Sequence, residues 1–164
     1  MRAAMKPLLK WLHVASAVGF VGGLAAMLLL SLTADDSSAS AFAVARRAIQ
    51  TLGETLGLPS LVLLMLSGMM LTMKQPALVE ARWLWGKALL GMLVSGVALL
   101  MVQPGAMRAA ALAQMVLEGS MSVRTLEAAI RMERIGVAIS VAASLIAIAL
   151  AVWRPRLGRR AERG

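Results

Sequence analysis

Four apolar stretches, at about 8–32, 56–73, 83–102 and 135–153, decide what this chain can become. About 20 apolar residues in a helix cross the hydrocarbon core of a bilayer, and each stretch is close to that length or beyond it. With 60% hydrophobic residues and a mean hydropathy of +0.80, a water-soluble fold of 164 residues would expose too much apolar surface. The sequence therefore predicts an all-α fold: an integral membrane four-helix bundle, organised as a single transmembrane domain over 1–164.

The first stretch, LLKWLHVASAVGFVGGLAAMLLLSL, exceeds the 7–15 residues of a signal-peptide core and reads as a retained helix. Thr33 to Ser40 is a polar break that supplies N-cap residues for the next helix. Residues 41–55 form an amphipathic helical lead, with Arg46, Arg47, Gln50 and Glu54 interleaved among Phe42, Val44, Ile49 and Leu52. The lead enters the second span, where Pro59 is expected to kink it. Lys74 to Arg82 is a short connection, and Trp83 and Trp85 are interfacial anchors. Gln103-Pro104-Gly105 is expected to stop the third span. Residues 106–134 are read as non-spanning and helical, with a Glu127/Arg131 pair at i,i+4 and a break at Gly119-Ser120. The fourth span ends at Arg154-Pro155, and a basic tail closes the chain.

Charge orients these spans. Of the 17 Lys and Arg, 11 lie in the N-terminal lead, the 74–87 connection and the C-terminal tail, and 6 lie in the segments on the other side. The acidic residues divide 2 against 6, so one side is +9 and the other neutral. Because Lys and Arg favour the inner face, both termini are placed in the cytoplasm. The basic residues sit at the ends of apolar segments, beside anionic headgroups, and not on the continuous basic surface that nucleic acid requires. The partner is the lipid bilayer; no nucleic acid is expected. The absence of cysteine excludes disulfides, Fe–S clusters and covalently attached haem, and a single histidine argues against structural zinc.

Each span also carries a small-residue face: Gly19-x-x-x-Gly23, Gly53-x-x-x-Gly57, Gly91-x-x-x-Ser95, and Gly136-x-x-x-Ser140-x-x-x-Ser144. Such faces let helices approach closely in lipid and predict a tight bundle, a homo-oligomer or a larger membrane complex. Apart from Lys10 at the very start of the first stretch, two ionisable residues fall inside a span, His13 and Lys87, each about one turn from the cytoplasmic interface and at similar depth. Lys87 can snorkel, its stem in lipid and its ammonium among headgroups. His13 can be a hydrogen-bonded interfacial imidazole, or a ligand for haem iron. Met65, Met69 and Met73 form a stripe that could hold Cu(I), although adaptable packing is the commoner use of such a stripe. The middle of every span lacks Asp and Glu, which counts against proton-coupled transport.

The segments WLHVASAVGFVGGL, GLPSLVLLMLSGMMLT, RWLWGKALLGMLV and RMERIGVAISVAASLIAIALAVWRP, in this order, resemble the helices of a superfamily of small bacterial membrane proteins. It includes the HemJ-type protoporphyrinogen oxidases, the membrane domain of CopD-type copper-resistance proteins, and uncharacterised predicted integral membrane proteins, to which this chain is nearest. The resemblance implies a multi-pass protein of the bacterial inner (cytoplasmic) membrane. It also implies haem b, with His13 as the metal ligand and Lys87 as its functional partner on a haem or substrate propionate, and copper as the less favoured cofactor. An enzyme of this kind would be a haem-linked oxidoreductase. With one histidine in the chain, a second axial ligand must be methionine, an external molecule, or His13 of another protomer.

Overall fold

The computed structural model describes residues 2–34, 38–73, 82–120 and 123–153, without the side chains of 2–6, 82, 83 and 123–125. Its described residues form four long helical rods. The first is α1 (Arg2–Thr33). The second joins α2 (Ala39–Leu52) to α3 (Leu58–Met73) through a π turn at Gly53–Gly57. The third joins α4 (Arg82–Val97) to α5 (Gln103–Leu117) through a π turn at Ala98–Val102. The fourth is α6 (Val123–Trp153). Each rod is long and apolar enough to cross a membrane. The 74–82 connection expected from sequence lies, save its last residue, outside the described residues, and so does the tail beyond Trp153.

Local chemistry explains the ends. Ser38 caps α2, its hydroxyl accepting the Ala41 N–H at 3.4 Å. Gly119, at φ +72, turns the chain out of α5 at the expected break. The stop expected at Gln103-Pro104-Gly105 does not occur: the helix continues to Leu117. Proline lacks an N–H, and its ring clashes with the carbonyl four residues earlier. The π turn absorbs both problems by widening the ladder, so that the Gln103 N–H bonds the Ala98 carbonyl. The second rod repeats the device at the site of the expected kink, with the Leu58 N–H on the Gly53 carbonyl just before Pro59.

These continuations make the candidate spans of the second and third rods, Ala39–Met73 and Leu84–Leu117, 35 and 34 residues long. At 1.5 Å per residue each is about 50 Å, against a hydrocarbon thickness of about 30 Å. α2, α5 and the start of α6 therefore extend past the end of α1 and pack on one another. Ala109, Ala113, Leu126 and Ala129 form a small core there, flanked by Phe42, Leu112, Val116 and Ile130. The main core runs between the rods through Phe20, Leu24, Met27, Ile49, Leu61, Val94, Val102 and Val137. The outward face of the rods is apolar, with Val18, Leu29, Leu66, Leu89, Leu100 and Leu145 exposed, as suits lipid.

Glycine contacts give the register. A Cβ on Gly19 would meet the Ser60 side chain, and one on Gly23 would meet Leu56, so α1 and α3 run antiparallel. Likewise Gly86 faces Leu150, Gly136 faces Met101 and Val102, and Gly105 lies on the Glu133 backbone, so the third rod is antiparallel to α6. α1 also packs on α6, and α2 on α5, which closes the four rods into a bundle. Ser140 is fully buried on α6, and its hydroxyl has no hydrogen-bond partner among the described residues. A desolvated hydroxyl without a partner costs about 1–3 kcal/mol. Ser140→Ala is therefore expected to leave stability unchanged or raise it in a thermal unfolding series in detergent.

Candidate functional site

Among the described residues, the side-chain hydrogen bonds between rods fall in two layers. The first is built on His13, half-buried on α1. Its Nδ1 lies 3.2 Å from the Leu64 carbonyl and 3.0 Å from Ser67 Oγ on α3. Ser67 Oγ donates to the Leu63 carbonyl at 2.6 Å, so toward the imidazole it can only accept. A carbonyl also only accepts, so Nδ1 must carry the proton and donate to both. The neutral ring then keeps its lone pair on Nε2. Gly68 makes this seating possible, because a Cβ there would come within 3.1 Å of His13 Cε1.

Lys87 is half-buried on α4. One turn further along α4, a Cβ on Gly91 would lie 3.9 Å from Met65 Sδ on α3. Because α3 runs the opposite way, Lys87 falls level with Met69, at about the depth of Gly68 and the His13 ring. No hydrogen bond joins the Lys87 and His13 side chains. Met69 and Met73 are 59% and 75% exposed and face outward, while Met65, 40% exposed, reaches α4 at Gly91.

Sequence reasoning missed the second layer. Arg46 on α2 and Glu133 on α6 form an ion pair at 3.1 Å, with side chains 0% and 1% exposed. Arg46 Nη2 donates to Ser31 Oγ at 2.9 Å and faces the Ser31 carbonyl at 3.4 Å. Arg134 Nε donates to the same hydroxyl at 3.0 Å, and its Nη2 donates to the Ser31 carbonyl. The Arg46 guanidinium also lies 5.3 Å from the centre of the Phe42 ring. Ser31 is in the last turn of α1, where carbonyls lack intrahelical donors and α1 has no basic residue of its own. Two arginines from neighbouring rods supply those donors, and Glu133 balances one of their charges. The layers are about 27 Å apart along α1, near the thickness of a bilayer's hydrocarbon core.

A family model described as "Predicted integral membrane protein (DUF2269)" matches residues 7–155. The chain belongs to the DUF2269 family. The match takes in all four rods and both polar layers, so this architecture is that of a DUF2269 membrane protein. No curated protein and no solved structure matches the chain.

Proposed function

We propose that this DUF2269 protein binds a b-type haem or a porphyrin through Nε2 of His13 and serves electron transfer or porphyrin redox chemistry in a bacterial inner membrane. One observation carries this reading: Nδ1 is committed to Leu64 and Ser67, which fixes the ring and leaves Nε2 for a metal. An imidazole held this way, by a carbonyl and a hydroxyl behind it, is the usual arrangement of a metal-binding histidine. The donor chemistry therefore fits one axial bond to iron. Lys87, at the same level, would hold a carboxylate such as a propionate through its ammonium. A haem there would supply one-electron chemistry. The chain's own part is to orient the imidazole, neutralise a carboxylate and keep the site among apolar side chains. The proposed orientation, both termini cytoplasmic, puts this layer near the inner face, as the charge count requires.

An absorption spectrum of the purified protein after haem supplementation tests this. The expected result is a Soret band that disappears in His13→Ala. Ser67→Ala should keep the band, because the Leu64 carbonyl still orients the ring, with affinity lower by about 10–100-fold at most. A wild-type protein that shows no Soret band overturns the reading.

A second reading, a non-catalytic membrane subunit within a larger complex, is favoured by the lobe of α2, α5 and α6. Val44, Met107, Met115 and Leu117 are exposed on those segments, beyond or near the end of α1. It predicts a stable protein partner in gentle detergent, and a partner-free, monodisperse particle would count against it.

A further inference from the structure

The two π turns lie side by side in the middle of the bundle. Gln103, at the end of one, is 9% exposed, and its side-chain oxygen would sit 2.5 Å from a Cβ on Gly53 at the start of the other. Its amide makes no hydrogen bond to any described residue. Beside it is a cavity of about 20 Å³ walled by both π turns and by Phe20, Leu24 and Met27 of α1. A water molecule needs about 10–15 Å³ of such volume and two or more polar partners. Gly53 and Ala98, whose carbonyls receive the N–H that closes each π turn, line the cavity too, and a carbonyl keeps a second lone pair to which a water can donate. An unpartnered amide deep in a lipid-facing bundle is costly, and a small molecule that both donates and accepts offsets that cost.

We propose that this cavity binds a single water molecule, held by the Gln103 amide between the two π–proline joints. The water joins the amide to the π turns, so that its polar atoms are paired among apolar side chains.

Met27 lines the cavity and is 1% exposed, which makes it a reporter. Radicals generated by X-ray radiolysis at a bound water oxidise the side chain beside it even where bulk water does not reach. In the full protein in detergent, mass spectrometry should find Met27 converted to the sulfoxide alongside the exposed Met107. Gln103→Met should lose the Met27 label and keep that of Met107. Gly53→Ala, which drives a methyl into the Gln103 amide, should lose it too and stands in if the first variant does not fold. A wild-type Met27 that stays unlabelled while Met107 reacts, or a Met27 label unchanged in either variant, overturns the proposal. The result does not depend on haem, so it stands or falls apart from the reading of His13.

Discussion

Glu133→Gln is expected to destabilise the protein by about 3–5 kcal/mol, the cost of leaving a buried charge without its partner. The structure makes the effect asymmetric. Without Glu133, Arg46 and Arg134 converge on Ser31 with no counter-charge. Without Arg46, as in Arg46→Met, Glu133 still has Arg134 close by, and α1 still has one arginine on its final turn. Arg46→Met should therefore be the milder of the two. The double variant Arg46→Met/Glu133→Leu should recover much of the loss, since an apolar pair can fill a site from which both charges are gone. Unfolding followed by tryptophan fluorescence in detergent measures all three. Equal losses for the two single variants would mean that Arg134 does not compensate.

The second large effect is expected at Gly105. A Cβ there would lie 2.9 Å from the Glu133 nitrogen and 3.0 Å from its Cα. These are backbone atoms and cannot turn aside, so Gly105→Ala must push α5 from α6. The cost belongs at or above the top of the range of about 1–3 kcal/mol for overpacking. It should grow in a variant that also depends on the Arg46–Glu133 pair, because the same displacement moves Glu133. Gly22→Ala is the control: nothing lies within 4 Å of its Cβ, and alanine favours helix by about 1 kcal/mol. If Gly105→Ala is as stable as Gly22→Ala in the same unfolding assay, the close α5–α6 crossing is wrong.

The number of spans and the helical class were legible because hydropathy over a window of about 20 residues is a strong signal in lipid. The level shared by His13 and Lys87 was legible too, since a residue's distance from a span end sets its depth. The seating of His13 was not, because Ser67 and Gly68 are ordinary small residues until α1 is laid against α3. Arg46 and Glu133 read as charges outside the spans because a hydropathy window averages over all faces of a helix. Their phase held the information: Glu133 is seven residues before Ser140, on the same face as Gly136 and Ser144, and Arg46 is seven residues before Gly53. Following each small-residue face past the end of its span would have found both. Gln103-Pro104-Gly105 misled for a different reason. The local signal for a stop is real, but Gly105 against Glu133 and Gly136 against Met101 hold the chain on a helical course that a π turn makes tolerable.

The Arg46–Glu133 pair spans 87 residues of chain, and this bears on how the protein is made. A ribosome adding about 5–20 residues per second delivers Arg46 several seconds before Glu133. Through that interval the first hairpin must enter the bilayer with an arginine that has no acid to meet. Arg46 would wait at the headgroups, its stem in lipid and its guanidinium on phosphate. The fourth rod, made later, carries the acid that meets Arg46 and the second arginine on the end of α1. A helix synthesised later thus locks one synthesised earlier.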